Sequence, residues 1–306
     1  MTKRSTIPVH KLQEHTDQRY HLERVDALSE LAKDVALMDA HRDDHYIFML
    51  QEKGWSKMMV DFNLQVLKDN TVFFVLPGQV HDYQGSEKDA CGWFLAIDAG
   101  LIPDLFRNVL EDPFLAQKPL ALNDAETEPL LQCLRLVSAV KQQRESVYSR
   151  QSVYSLLASF VGIMADLYAG RCGAPEGKLS RSRVITLEFR QMVAQRFRTL
   201  KSPGEYAEAL HLSLSYLNEI VKETTGFTVS YWIQQEIVLE AKRLLYYSQC
   251  SVKEIAHELG YEDHTYFSRL FKKQVGQTPG EFRGACRGLA SGGASDAEAG
   301  SEGESH

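Results

Sequence analysis

Hydrophobic residues change their spacing twice along this chain. From about Tyr20 to Ile97 they fall in short strand-like runs: His45–Leu50 (HYIFML), Lys57–Val60 (KMMV) and Thr71–Leu76 (TVFFVL). Turn-forming clusters separate the runs, at Glu52-Lys53-Gly54, Lys68-Asp69-Asn70 and Leu76-Pro77-Gly78. Several short strands at this spacing predict a small β-barrel or sandwich. From Asn123 to Tyr168 the period becomes helical. Leu130, Leu134, Val137 and Val140 form one stripe, and Leu156, Leu157, Phe160, Ile163, Met164 and Leu167 form another. Residues 170–177 (GRCGAPEG) interrupt the pattern and read as a linker. Beyond Leu179 the chain reads as helical almost without a break to Arg283. The last segment, GLASGGASDAEAGSEGESH, is small, acidic and poor in apolar residues, so it is expected to be disordered.

The fold class that follows is α+β in two domains. The expected order is an N-terminal arm (1–19), a small β-barrel (20–122), a helical dimerisation segment (123–168), a linker (169–180), an all-α domain (181–287) and the acidic tail (288–306). A length of 306 residues supports two cores, because single cores usually stop growing near ~250–300 residues. No continuous apolar run reaches the ~18–20 residues that span a bilayer. The opening MTKRSTIPVHKLQEH has no apolar stretch of a secretory signal. Cys91, Cys133, Cys172, Cys250 and Cys286 form no CxxC pair, which fits reduced thiols in a cytoplasm.

Charge is unevenly distributed. The net charge is −7, yet residues 178–289 carry 16 Lys+Arg against 12 Asp+Glu, a surplus of +4. A basic segment within an acidic chain is compatible with a nucleic-acid partner.

The most informative feature is an internal repeat. Tyr206-Ala-Glu-Ala-Leu210 matches Ile255-Ala-His-Glu-Leu259, and Tyr216–Thr228 (YLNEIVKETTGFT) matches Tyr266–Thr278 (YFSRLFKKQVGQT) in its Tyr, apolar, Lys, Gly and Thr positions. A period of about 50 residues means one supersecondary unit used twice. Each copy reads as helix-turn-helix, with Gly260 supplying backbone freedom in the second turn and Ser213 capping the helix after the first. The second helices are expected over 214–224 and 263–274. Their apolar stripes are Leu217, Ile220 and Val221 in one copy and Phe267, Leu270 and Phe271 in the other. The opposite faces carry Ser215, Asn218, Glu219 and Lys222, and His264, Thr265, Ser268, Arg269 and Lys272. Small polar side chains suit base edges, and Lys suits phosphates. Between the copies, Val229–Tyr247 reads as one rigid helix with Trp232, Ile233, Ile237, Leu244 and Leu245 on its buried side.

From Ile185 to Arg283 the sequence resembles the AraC/XylS family of bacterial transcription regulators. The stretch Ser251–Arg283 (SVKEIAHELGYEDHTYFSRLFKKQVGQTPGEFR) carries that resemblance almost throughout. The resemblance implies that Ser215, Asn218, Glu219, His264, Thr265, Ser268 and Arg269 face bases. Ser213, Lys222 and Lys272 complete the expected DNA-binding set. The chain departs from the family at Glu219, often a basic residue, and at Ile237, often Arg. Less closely, His41-Arg-Asp-Asp-His45 and Leu76-Pro-Gly-Gln-Val-His81 resemble the cupin-like sensor barrels of the same family.

An effector is therefore expected at the barrel mouth, with His41, His45, Trp55, Phe62, His81 and Trp93 as lining residues. The spacing His-x3-His, with Glu52 seven residues on, differs from the His-x-His of cupin enzymes. The sequence therefore assigns no metal, no cofactor and no catalytic residue. The resulting expectation is a cytoplasmic DNA-binding regulator. Its partners would be double-stranded DNA, a small-molecule effector, a second copy of itself and, for an activator, RNA polymerase, with no membrane. The alternative is a cupin-type metalloenzyme whose helical half binds a partner.

Overall fold

The computed structural model describes residues 6–26, 39–112, 117–144, 146–171 and 180–292. The chain divides into two compact units, residues 8–178 and the remainder.

The first unit is built on two five-stranded sheets. One has the order β1 (Val9–His10), β3 (His41–Asp43), β8 (Val80–Ser86), β5 (Ser56–Val60), β6 (Asn63–Leu67). The other has the order β10 (Leu120–Ala121), β7 (Thr71–Val75), β4 (Tyr46–Lys53), β9 (Cys91–Ile97), β2 (Tyr20–Val25). Among the described strands only β1 and β3 pair in parallel. All five positions of β7 are buried, so this strand has no solvent face. Side chains alternate along a strand, and the two sets enter different cores. Phe73 and Val75 join Ile47, Met58, Val60 and Leu67 between the sheets. Val72 and Phe74 join Phe48 and Leu95 in a larger core shared with α3 (Asp124–Lys141) and α4 (Val147–Arg171).

Both helical stripes predicted from sequence lie in that larger core. Leu134 and Leu157 are each 1% exposed, so they pack within the unit and are not available to a second copy. Averaged over eighteen residues, α4 is apolar enough to cross a membrane, with mean hydropathy 1.4. Its Leu157, Phe160, Val161, Met164 and Tyr168 are instead buried, and the Tyr168 hydroxyl donates to the carbonyls of Lys118 (2.9 Å) and Val72 (3.3 Å). A short α2 (Asp104–Leu110) also packs on α4.

The expected arm is partly built into this unit. Leu12, in α1 (Leu12–His15), is 4% exposed. Its N–H donates to the Asp44 carboxylate at 3.0 Å, and the Pro8 carbonyl accepts from the Arg42 N–H at 3.0 Å. The expected linker lies mainly outside the described residues, although Gly170 and Arg171 end α4. The tail's first residues continue the last helix to Gly292, and 293–306 lie outside the described residues.

The second unit is all-helical. Its elements are α5 (Arg181–Arg196), α6 (Pro203–Ala209), α7 (Leu214–Thr225), α8 (Val229–Tyr247), α9 (Val252–Glu258), α10 (His264–Val275) and α11 (Pro279–Gly292). The repeat extends to individual backbone bonds. Ser202 with Glu205, and Ser251 with Glu254, form equivalent capping boxes on α6 and α9. In the first turn the N–H groups of Leu210, His211 and Leu212 donate to the carbonyls of Tyr206, Glu208 and Ala207. In the second turn Leu259, Gly260 and Tyr261 donate to Ile255, His257 and Ala256 in the same way. The extra residue of the second copy is Glu262, inserted after these bonds and before the cap Asp263. Both turns need a left-handed residue: Gly260 at φ 79° and His211 at φ 56°.

Packing around α8 adds a buried ion network. Glu240, 1% exposed, accepts from Arg198 at 2.7 Å and Arg243 at 3.1 Å. Ile237 is buried close by in the same helix, so the polar anchoring of α8 is carried by Glu240.

The two turns predict opposite outcomes. A Cβ on Gly260 would stand 2.0 Å from the Arg198 carbonyl oxygen, so Gly260→Ala should destabilise the helical unit by about 2–5 kcal/mol. His211 is exposed, so His211→Gly relieves left-handed strain without losing a buried contact and should stabilise by about 0.5–1 kcal/mol. Urea unfolding of both variants checks the signs. A neutral Gly260→Ala would contradict the assigned turn geometry.

Candidate functional site

Two surfaces carry chemistry. The first is a cavity of about 580 Å³ in the sheet unit. Strand alternation places His41, Asp43 and His45 on one face of β3 and the residues after it. The antiparallel partner of His41 is His81 on β8, and the parallel partner of Asp43 is His10 on β1. Four imidazoles thereby converge on one carboxylate. Nε2 of His81 lies 3.2 Å from Asp43 Oδ2, Nε2 of His45 lies 3.8 Å from the same oxygen, and Nε2 of His41 lies 3.8 Å from Oδ1. The rings of His10 and His41 stack with centroids 4.2 Å apart. His41, Asp43, His45 and His81 are all at most 6% exposed.

Burial, with the neighbouring His81 adding to it, pushes the His41 pKa down to about 4. Burial acts to raise Asp43, but the His81 hydrogen bond and the surrounding imidazoles outweigh it and hold the carboxyl below its ordinary range. Asp43 is therefore a buried carboxylate at neutral pH.

The cavity brings together four of the six lining residues expected from sequence: His41, His45, His81 and Trp93. Trp55 and Phe62 are elsewhere. Trp55 is 36% exposed with the Lys57 ammonium over its ring, and Phe62 sits in a turn at φ 71°. Asp43, His21, Glu23, Gln51 and Tyr83 also line the cavity and were not singled out from sequence. Asp43 had a legible signal, since it alternates with two histidines. Trp93 Nε1 is buried at the cavity wall and has no hydrogen-bond partner among the described residues, so it offers a donor to a polar ligand.

The second surface is the outward face of α7 and α10. Ser215, Glu219 and Lys222 on α7 are exposed, as are His264, Thr265, Arg269 and Lys272 on α10. Ser213 caps α7 by accepting from the Tyr216 N–H at 3.3 Å. Ser268 is half-buried and donates to the His264 carbonyl at 2.8 Å. Asn218 is half-buried too, and its side-chain oxygen accepts from the Val229 N–H at 3.3 Å, tying α7 to the start of α8. Lys273 adds a further exposed cation to α10, while Glu223 adds an anion to α7, so the two faces differ in charge. Tyr216 and Tyr266 occupy matched positions and are 39% and 52% exposed. The repeat showed that they correspond but not that they face outward.

The Asn218 contact makes a prediction. Asn218→Ala should lower the stability of the helical unit by about 1 kcal/mol, the usual cost of losing a side-chain acceptor at a helix start. Thermal melting of wild type and variant measures it, and an unchanged melt would leave Asn218 without this structural role.

Comparison with known proteins finds two matching regions. Residues 206–285 match the family model described as a helix-turn-helix domain, and residues 32–158 match the one described as an AraC-like ligand binding domain. The uncharacterized HTH-type transcriptional regulator YijO of Escherichia coli (strain K12) is 26% identical over 148 residues, 48% of this chain and 51% of that protein. The match therefore spans about half of that relative's length. The uncharacterized HTH-type transcriptional regulator YfiF of Bacillus subtilis (strain 168) is 26% identical over 260 residues, 79% of this chain and 78% of that protein. Among solved structures, the C-terminal domain of AraT, a response regulator from Geobacillus stearothermophilus, is 30% identical and covers 35% of this chain and 88% of that domain, with a TM-score of 0.33.

Proposed function

The chain belongs to the AraC family of transcriptional regulators, and on that premise we propose that it reads a specific DNA sequence with α7 and α10 under the control of a small molecule bound in the sheet unit. The observation that carries this reading is the doubled helix-turn-helix, equivalent down to its turn hydrogen bonds. Helix α8 has nineteen residues, a length of roughly 28 Å, and contains no Gly or Pro. A rigid helix of that length suits two reading helices set about one DNA turn, roughly 34 Å, apart.

In this reading Ser215, Glu219, His264, Thr265 and Arg269 meet base edges, and Lys222, Lys272 and Lys273 meet phosphates. Tyr216 and Tyr266 join the same face. Asn218 ties α7 to α8 behind that contact, while Ser268, bonded only within α10, stays beside the reading face. The sheet unit acts as a cupin-like sensor, with Trp93, Gln51, Glu23 and Tyr83 as the polar groups that orient an effector. A homodimer is the assembly favoured here. It would form through Leu136, Val147 and Tyr148, which are 52%, 76% and 85% exposed around the connection between α3 and α4. For an activator, RNA polymerase is a further partner.

The charge difference between the reading helices sets a test. Arg269 can donate to guanine or phosphate, whereas Glu219 repels phosphate and only accepts. On an operator selected from a random duplex library, Arg269→Ala should weaken binding by about 1–3 kcal/mol. Glu219→Ala should weaken it less or strengthen it. Titrations by mobility shift at fixed salt measure both. Wild-type affinity in Arg269→Ala would overturn the role assigned to Arg269.

A further inference from the structure

We propose that His10, His41 and Asp43, beside the cavity, hold a divalent transition-metal ion. Ligand-capable atoms of His10, His41 and Asp43 lie within 4.8 Å of one another, and His81 Nε2 is 3.2 Å from the same carboxylate.

The outer hydrogen bonds specify the inner chemistry. His41 Nδ1 is 2.7 Å from the Asp39 carbonyl, and His81 Nδ1 is 3.2 Å from the Gln79 carbonyl. A carbonyl only accepts, so Nδ1 carries the proton in each ring. Each Nε2 then faces Asp43, and at His81 it hydrogen-bonds the carboxylate; with that proton displaced, its lone pair points at the same place. His45 repeats the arrangement, with Nδ1 3.0 Å from the Asp44 carboxylate and Nε2 3.8 Å from Asp43. Imidazoles held this way, by an acceptor behind the ring, are oriented as metal ligands commonly are. A metal ion entering here would displace those protons and be held by the freed lone pairs and the carboxylate together. Ligands at ~2.1 Å from a common ion stand roughly 3.0–3.4 Å apart in octahedral or tetrahedral sites. The 3.2–3.8 Å separations between Asp43 and the Nε2 atoms need only a small inward movement to reach that range.

The donor set names the class of ion. Several imidazoles with one carboxylate select zinc, nickel, copper, iron or manganese over calcium and magnesium, which prefer all-oxygen sites. The sequence already groups His41 with His45 and His81; His10 and Asp43 join because strand pairing sets β1 beside β3. His10 gives the ion a structural consequence as well. Binding would fasten β1 to β3 and steady the Leu12 wall of the cavity.

The test uses the full-length protein and no DNA, so it stands apart from the DNA-binding reading. Protein stripped with a chelator is titrated with Zn²⁺ by calorimetry and with Co²⁺ by visible absorption. One equivalent per chain is expected, with a raised melting temperature and no displacement by a tenfold excess of Mg²⁺. His10→Gln, at a half-buried position, and Asp43→Asn should each weaken Zn²⁺ binding at least tenfold, with folding checked by circular dichroism. If Asp43→Asn does not fold, His10→Gln and His41→Gln decide. Folded wild-type protein that takes up neither ion would overturn the proposal, as would folded His10→Gln and His41→Gln variants that both keep wild-type affinity.

Discussion

A left-handed turn between two helices is the constraint on which the helical unit rests. In each copy a short helix must stop, reverse and release a longer helix at a fixed angle, and one residue with positive φ makes this possible. Gly260 does so without strain at 79°, and His211 does so against the preference of its Cβ at 56°. Once that residue is set, three backbone hydrogen bonds close the turn, and Ala207 or Ala256, almost fully buried, lies beneath it. Leu217 and Val221, or Phe267 and Phe271, are then driven inward. The remaining side of each long helix has nowhere to point but outward, so the reading face follows from the turn.

The sheet unit answers to a different constraint. The sheet containing β7 is apolar on both sides, because one side meets the other sheet and the opposite side meets α3 and α4. Polar groups at the cavity are therefore concentrated where those two packing demands relax: on β3 and β8, along the edge strand β2, and near the paired Gln51 and Gly92 ends of β4 and β9. Asp43 is the extreme case. A carboxylate 6% exposed is costly to bury, and the imidazoles around it are what make the position tolerable.

Most of the helical unit was legible in sequence because its signals are local. The repeat, the cap Ser213, Gly260 and the stripes on α7 and α10 each lie within a few residues of what they determine. The helices over 214–225 and 264–275 differ by a residue from the expected ranges. Asn218 was legible as a polar residue on the reading helix, but its bond to Val229 depends on the angle between α7 and α8, which periodicity does not contain. The sheet unit was less legible for the same reason. Alternation within β3 could place His41 and His45 together, whereas the meeting of His10, Asp43 and His81 depends on which strands pair and in what register. Trp55 and Phe62 show the converse: aromatic residues on short strands and turns look like lining residues until pairing assigns them elsewhere. The stripes of α3 and α4 were read correctly as apolar. The surface they cover is the sheet, and Leu134 and Leu157 leave nothing of themselves for a partner.

The central claim is that two equivalent helices read one face of a DNA duplex together. Hydroxyl-radical footprinting of the full-length protein on its selected operator tests this most directly. The account predicts two protected tracts per bound unit, centred about 10 base pairs apart on the same face of the helix. A single tract, or two tracts on opposite faces, would contradict it.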